Sequence, residues 1–181
     1  MIKMNYKQVI LVITSILTLA GCVGVSPDGK GYNVSIPLNI INTTVAQNFP
    51  QSQKTNYGTL LIDKPNLLGK QGSDKLGVGT TFTFSNMFIP NGIKGSLNLS
   101  SGLRYNPSDR GLYLASPMID ELTFQNFSLS SYLTPQMRNS IGNIIAKQII
   151  KKPIYHINTI GASFVRGIGV QNGNVVLTLG L

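Results

Sequence analysis

The chain has 181 residues and a formal net charge of +9, and it is 42% hydrophobic but only 12% charged. This composition is typical of one folded domain with a substantial core and excludes a disordered chain. The single cysteine excludes a disulfide framework within the chain, and with the single histidine it leaves too few soft ligands for a typical zinc site. We therefore expect no metal and no other cofactor.

Residues 1–21 have the pattern of a secretory signal peptide. Lys3 and Lys7 precede the apolar run VILVITSILTLA, which extends from Val9 to Ala20. A short basic region followed by roughly 7–15 apolar residues and then small residues is typical of such a signal. The run is shorter than the about 20 residues that span a bilayer comfortably. We therefore expect this segment to be removed.

The boundary Leu19-Ala20-Gly21-Cys22 resembles the bacterial lipobox. The resemblance implies that Cys22 receives a diacylglycerol thioether, that the chain is cut before it, and that it becomes the acylated N-terminus. Several acyl chains on one residue hold a protein firmly on a membrane, since each buried CH₂ contributes about 0.8 kcal/mol. The alternatives are an uncleaved anchor and an ordinary cysteine.

The residue after the lipobox cysteine, Val23, bears on location. In lipoproteins of Gram-negative bacteria, a residue other than aspartate here implies sorting to the outer membrane, so we expect a lipid-anchored protein that faces the periplasm. Residues 22–30 comprise the acylated cysteine and a tether rich in glycine, serine and proline. Residues 31–181 are then expected to form a single domain.

The first half of this domain begins with a predicted strand over residues 31–36 and a predicted helix. Leu38, Ile41, Val45 and Phe49 form one apolar stripe, with Pro37 in the first turn, Ser35 as a candidate cap and Pro50 as the stop. Residues 57–68 follow as a strand, which Pro65 places at a sheet edge or marks with a bulge.

The middle of the chain alternates apolar and polar residues with a period of two, which predicts an antiparallel meander with one apolar face. Turns are expected at Pro90-Asn91-Gly92 and at residues 106–111, and a bulge near Gln125-Asn126. The strand from Leu76 to Phe88 would span about 40 Å at roughly 3.3 Å per residue, so it needs something large to wrap. The inward-facing residues are predicted to be Leu76, Val78, Phe82, Phe84, Phe88, Ile93, Leu97, Leu99, Leu103, Tyr105, Leu112, Leu114, Met118, Leu122 and Phe124.

A long helix is predicted over residues 134–151. Thr134 is a cap, Pro135 occupies the first helical position, and Pro153 stops the helix. A closing hairpin from Val170 to Leu181 turns at Asn172-Gly173-Asn174. The expected fold class is α+β: a long, highly curved antiparallel sheet wrapped around the long C-terminal helix, with a shorter N-terminal helix. The apolar stripe of the long helix consists of Met137, Ile141, Ile144, Ile145 and Ile149.

Two stretches, GLYLASPMIDELTFQNFSL and LTPQMRNSIGNIIAKQI, together with the order of the predicted elements, resemble the YceB-like lipoproteins of Gram-negative bacteria. That family is similar to the tubular lipid-binding (TULIP) superfamily. The resemblance implies a long helix wrapped by a curved sheet, with an apolar cavity between them that binds a lipid or another apolar ligand. The chain departs from the family in being basic and poor in acidic residues.

Two functions remain open on these grounds. In the first, a lipid fills a cavity between sheet and helix, and the protein carries or senses that lipid. In the second, the same residues form a closed core, and the domain is a structural or assembly lipoprotein that binds a protein partner. The residues that would line the cavity in the first case are Phe82, Phe84, Phe88, Leu97, Leu99, Leu112, Leu114, Phe124, Ile141 and Ile145.

The sequence argues against an enzyme, and no catalytic residue is predicted. Asp120 and Glu121 are the only adjacent acidic residues, and neighbours on a strand point to opposite faces. Asp120 falls at an inward position, which indicates a slip of the register there. His156 lacks a Gly-x-Ser-x-Gly elbow that would supply a nucleophile, and we expect it to be structural.

The basic residues do not indicate a nucleic-acid partner, because they are not interleaved with aromatic residues. Lys147, Lys151 and Lys152 lie towards one end of the predicted long helix. They are placed either to touch anionic lipid head groups or simply to solvate the helix end.

Overall fold

The computed structural model of the chain describes residues 23–25, 29, 31–69, 72–125, 133–158 and 160–180. The predicted signal peptide, Cys22 and most of the predicted tether lie outside these residues. In chain order the elements are β1 (Val23–Val25), β2 (Gly31–Ile36), α1 (Leu38–Ala46), β3 (Gln51–Thr55), β4 (Gly58–Ile62), β5 (Asn66–Gly69), β6 (Leu76–Ser85), β7 (Ile93–Asn106), β8 (Gly111–Phe124), α2 (Pro135–Lys151), β9 (Tyr155–His156), a 3₁₀ helix (Ile160–Phe164), β10 (Val165–Gln171) and β11 (Asn174–Gly180).

The described strands form two antiparallel sheets that share one hydrophobic core. The smaller sheet has the order β1-β2-β11-β10, and the larger has the order β3-β4-β6-β7-β8-β9, with β5 also paired to β6. Residues of both sheets and both α-helices belong to one cluster of buried side chains. The two ends of the described chain meet in the smaller sheet, because Val34 of β2 pairs with Leu177 of β11.

The expected architecture, a highly curved sheet wrapped around a long C-terminal helix, is wrong. The described part of the chain is mostly antiparallel sheet with two short α-helices, and the sheets are not strongly curled. Helix α2 packs mainly against β8, while α1 packs against β5 and β10 lies against β7. The apolar face of the large sheet is therefore covered by several elements in succession. The expected arrangement, in which one long helix alone covers this face, is therefore not formed.

The predictions for the first two elements are largely confirmed. Strand β2 occupies the predicted residues, and Ile41 and Val45 are buried on the apolar stripe of α1. Ser35, however, is not a cap: Pro37 occupies the N-cap position and no side chain caps the helix there. Part of the predicted tether is structured as well, since Val23–Val25 pairs with β2 as an edge strand.

The predicted strand over residues 57–68 is split in two around Pro65. Strands β4 and β5 both pair with β6, at Ile62 opposite Phe82 and at Asn66 opposite Gly79. Proline has no N–H group to donate to a ladder, so pairing is interrupted there. The Thr80 hydroxyl bridges the gap by donating to the carbonyl oxygen of Asp63 at 2.9 Å.

The β7–β8 pairing contains two register shifts, one between Asn98 and Leu99 and one between Ser100 and Gly102. The bulge predicted near Gln125-Asn126 lies partly outside the described residues, which stop at Gln125 on this side. The irregularities that are described lie earlier in β8. Such shifts turn side chains to the other face. Met118, predicted to point inward, is accordingly 54% exposed.

One of these shifts confirms the register slip predicted at Asp120. Its carboxylate accepts a hydrogen bond from the Ser100 hydroxyl at 3.0 Å, and Glu121 accepts one from the Asn98 amide at 3.1 Å. Asn98 and Ser100 share one face of β7 because they are two residues apart. The expectation that the two acids point to opposite faces is therefore wrong, and both lie on the outer face.

Helix α2 and the closing hairpin follow their local signals. The Thr134 hydroxyl accepts a hydrogen bond from the Met137 amide at 3.2 Å, and Pro135 takes the first helical position. Asn172 and Gly173 form the turn between β10 and β11 with φ angles of 50° and 76°. Positive φ at both central residues is the requirement of a type I′ hairpin turn, which Asn-Gly satisfies best.

Candidate functional site

Most of the residues predicted to line an internal cavity are packed in the core. Phe124 is partly buried against the same cluster, and its ring meets that of Phe82 edge to face with 5.5 Å between centroids. These side chains belong to one cluster of buried residues. The residues with 3% exposure or less are Phe82, Phe84, Leu97, Leu99, Leu112, Leu114, Ile141 and Ile145.

Phe88, the remaining member of the predicted set, is 71% exposed. Strand β6 ends at Ser85, so the two-residue alternation that placed Phe88 inward does not extend to it. The turn that carries it is well defined. The Asn86 side chain accepts hydrogen bonds from the amides of Phe88 and Ile89, both at 2.9 Å, and Ile89 is buried.

This turn presents two large apolar side chains to solvent, because Met87 beside Phe88 is 84% exposed. They form one wall of a surface pocket of about 550 Å³. Tyr57 and Met137 contribute other apolar surface to it. The described residues that line it are Asn56, Tyr57, Gly58, Asn86, Met87, Phe88, Thr134 and Met137.

A second surface pocket, of about 480 Å³, adjoins the first. Both are lined by Asn56 and Tyr57, so they meet at the tip of the β3–β4 hairpin. We call the two pockets together the hairpin–helix groove. The lining of the second pocket is Gln53, Lys54, Thr55, Asn56, Tyr57, Ser140, Asn143, Ile144, Lys147 and Gln148.

One face of α2 forms a wall along the whole groove. Met137, Ser140, Ile144 and Lys147 recur at spacings of three and four, which places them on one side of a helix. The ten residue steps from Met137 to Lys147 correspond to about 15 Å at 1.5 Å per residue. The adjacent face of α2 is turned to the core, where Ile141, Gly142, Ile145, Ala146 and Ile149 are buried.

The β3–β4 hairpin forms the opposite wall and is held by its own hydrogen bonds. The Thr55 hydroxyl donates to the Gly58 carbonyl at 2.9 Å and accepts from the Tyr57 amide at 3.1 Å. Gly58 has a φ of +148°, and a Cβ there would lie 2.2 Å from the Ser85 carbonyl oxygen. Only glycine fits such an approach. The turn therefore fixes Tyr57 where the two pockets meet.

The second pocket is less apolar than the first and contains two lysines. Gln148 donates from Nε2 to Oε1 of Gln53 at 2.9 Å, which joins its two walls. Lys54 of β3 and Lys147 of α2 are both among the residues that line it, and no acidic residue is present among the described residues that line either pocket. Amide groups and ammonium groups together supply hydrogen bonds and positive charge for an anionic, hydrogen-bonding ligand.

A separate polar cluster lies at the β7–β8 turn. The Asp109 carboxylate accepts hydrogen bonds from the Tyr113 hydroxyl and, at 2.9 Å, from the Gly111 amide. These hydrogen bonds, that from Tyr113 foremost, lower the pKa of Asp109, and the same contact raises the pKa of Tyr113. His156 contacts the Asp109 carbonyl oxygen through Nδ1 at 3.3 Å, and the Arg104 guanidinium lies 4.8 Å from the centre of the Tyr113 ring. These contacts stabilise a turn.

Sequence reasoning did not identify most of the groove. The sequence predicts Met137 and Ile144 as part of the core stripe, and both are partly buried against the core while they also line the groove. Lys147 was singled out as a possible contact for lipid head groups. The amide residues have the composition of an ordinary solvent-exposed helix face, and nothing local indicates that β3 lies opposite them.

Within the described ranges, neither α-helix combines the length and the apolar character needed to cross a bilayer. The same ranges contain no group of three His, Cys, Asp or Glu side chains placed to share a metal ion. The resemblance to YceB-like lipoproteins stays a prediction. No protein-family model matches the chain, and no curated protein matches it.

Proposed function

We propose that this protein is a membrane-anchored envelope lipoprotein that holds an amphipathic lipid in the hairpin–helix groove. The observation that carries the proposal is the gradient of polarity along the groove. Met87, Phe88 and Met137 lie at one end, and Lys54 and Lys147 lie at the other. A lipid with an acyl chain and an anionic head group has a matching gradient, because it is apolar at one end and charged at the other.

The apolar end of the groove exposes side chains whose burial by a ligand would stabilise the complex. Met87 and Phe88 are among the most exposed large apolar side chains in the described part of the chain. Covering apolar surface contributes about 25 cal/mol per Å², or about 0.8 kcal/mol for each CH₂ that is removed from water. Methionine side chains adapt their shape to irregular ligands, which suits an acyl chain.

The predicted N-terminus gives this groove a source of lipid. Acylation of Cys22, which lies outside the described residues, would hold the domain at the outer membrane facing the periplasm. A groove that stays close to a bilayer can exchange lipid with it without a search through solution. Membership of the YceB-like family belongs to this proposal as well, because family members are implied to bind lipids. The groove differs from the cavity that this family implies, since it lies on the surface.

The second candidate is a structural or assembly lipoprotein that binds a protein partner. Eight of the ten residues predicted to line a cavity are buried in the core cluster, which supports this alternative. The outward-facing Met118 on β8 and Leu68 on β5 provide apolar surface elsewhere on the large sheet. This candidate predicts that lipid binds nowhere in the groove.

Native mass spectrometry of the full chain, purified in a nonionic detergent, distinguishes the two candidates. We expect lysophosphatidylglycerol with one fourteen-carbon chain to bind at one molecule per protein. Phe88→Ser should weaken this binding about tenfold, because the ring lines the apolar end and its burial contributes roughly 1.5–3 kcal/mol.

Phe164→Ser is the matched control, since Phe164 is 51% exposed on the 3₁₀ helix and lines neither pocket of the groove. It should leave lipid binding unchanged. Equal losses in the two variants, or no stoichiometric lipid on the unmodified chain, would rule out the groove and leave the partner-binding candidate.

A further inference from the structure

We infer that the polar end of the hairpin–helix groove selects a head group that carries both a phosphate and free hydroxyl groups. This inference rests on the proposed function, because it concerns the lipid that the groove holds. The selection would favour a glycerol-phosphate or sugar-phosphate head group over a zwitterionic one that ends in an ammonium group.

The positive charge of the groove accounts for the preference for a phosphate. Lys54 on β3 and Lys147 on α2 are both exposed and line the same pocket from opposite walls. A lysine ammonium is a compact point charge with three donors, which suits a phosphate placed between two walls. The two ammonium groups would bind the phosphate through charge-assisted hydrogen bonds, which are shorter and stronger than neutral ones.

The same charge disfavours a zwitterionic head group. A terminal ammonium would lie near two lysines, and no aspartate or glutamate is among the residues that line either pocket to receive it. Like charges that are brought together raise the free energy of the complex. A head group with one net negative charge meets only favourable charges there.

The neutral polar side chains of the pocket account for the preference for free hydroxyl groups on the head group. Gln53, Asn56, Asn143 and Gln148 each carry an amide, and Ser140 carries a hydroxyl. An amide offers donors and acceptors side by side, and a hydroxyl needs one of each. The hydrogen bond from Gln148 to Gln53 orients two of these amides towards each other across the groove. A phosphate without further hydroxyl groups would accept from the amide N–H groups but offer no donor to their carbonyl oxygens.

Four single-chain lipids with the same fourteen-carbon chain test this selection by native mass spectrometry of the full chain in nonionic detergent. They are lysophosphatidylglycerol, lysophosphatidic acid, lysophosphatidylethanolamine and monoacylglycerol. We expect the first to bind about tenfold more tightly than the ethanolamine lipid and severalfold more tightly than lysophosphatidic acid, which has the phosphate without the second glycerol. Glycerol phosphate without an acyl chain should bind about a hundredfold more weakly than the lysolipid.

The double variant Lys54→Gln/Lys147→Gln should abolish the preference for lysophosphatidylglycerol and leave the binding of uncharged monoacylglycerol unchanged. The matched control is Lys151→Gln/Lys152→Gln, which removes the same charge from two exposed lysines at the end of α2 and lies outside the lining of the groove. This control should keep the preference.

The outcomes separate the inference from the proposed function. Equal binding of the four lipids, or equal losses in the two double variants, would overturn head-group selection and leave the lipid groove standing. Equal affinity for lysophosphatidic acid and lysophosphatidylglycerol would overturn the role of the hydroxyls. Binding of none of the lipids would overturn the inference together with the proposed function.

Discussion

Gln148 on α2 donates a hydrogen bond to Gln53 on β3 at 2.9 Å, across 95 residues of sequence. The contact joins the two walls of the hairpin–helix groove and is partly buried. A double-mutant cycle with Gln53→Ala and Gln148→Ala should give a coupling free energy of about 0.5–1.5 kcal/mol, the usual net contribution of such a bond. Urea unfolding of the four proteins measures it. Additive effects of the two substitutions would show that the walls are not joined here.

The cap of α2 offers a second prediction, because Thr134 accepts a hydrogen bond from the Met137 amide at 3.2 Å. Thr134→Ala should lower the free energy of unfolding by about 1 kcal/mol, since the amide loses its partner. Thr134→Ser keeps the hydroxyl, and because serine caps at least as well as threonine it should leave the free energy of unfolding nearly unchanged. Urea unfolding of the two variants provides the test. If both lose equal stability, the hydroxyl is not the stabilising group.

Local features of the fold were predictable because their signals are local. The Thr134-Pro135 pair starts α2, and the Asn172-Gly173 pair forms the closing turn, since each requirement is met by the residues themselves. The alternation of residues 76–84 and 93–99 identified the buried faces of β6 and β7. It failed only where a strand ends, as at Phe88, or slips, as at Asp120.

The arrangement of the elements was not predictable in the same way. An apolar sheet face needs a cover, but the pattern of the face is the same whether a helix or a second sheet supplies it. Here the cover includes a sheet in which Val34 pairs with Leu177, a contact between distant parts of the chain. The groove depends on another such contact, between β3 and α2. Its residue types are those of an ordinary exposed surface, so no local signal marks it.

The burial of Leu99 leads to a third prediction. This side chain is 1% exposed within the core cluster, so Leu99→Trp must displace packed neighbours. Overpacking of this kind should reduce the free energy of unfolding by about 1–3 kcal/mol. Phe88→Trp, at an exposed position, should change it by less than about 0.5 kcal/mol. Thermal and urea unfolding of the two variants provide the comparison. A fully stable Leu99→Trp protein would indicate an internal cavity at this position.

The last prediction concerns pH and the turn that holds Asp109. Its pKa in the folded protein lies below the ordinary value of 3.8, chiefly because the Tyr113 hydroxyl donates to the carboxylate. Folding therefore favours the charged form. The stability that this gives is present in full above the unfolded pKa and is lost as the pH falls through the lower folded pKa. The contribution of Asp109 to the free energy of unfolding is small because its carboxylate is exposed. Its sign is nevertheless fixed by the direction of the pKa shift.

The mirror-image effect appears at Tyr113, whose pKa is raised above 10.0, chiefly by its hydrogen bond to Asp109. Its contribution is present below the unfolded pKa and is lost as the pH rises through the folded one. Asp109→Asn retains a side-chain oxygen that accepts hydrogen bonds but does not ionise. The difference in unfolding free energy between the unmodified protein and this variant should be constant near neutral pH. It should shrink both below about pH 4 and above about pH 10. Urea titrations across this range, with Tyr113→Phe as a matched variant that removes the other partner, measure the difference. A difference that does not change with pH would show that the Asp109–Tyr113 contact does not contribute to folding.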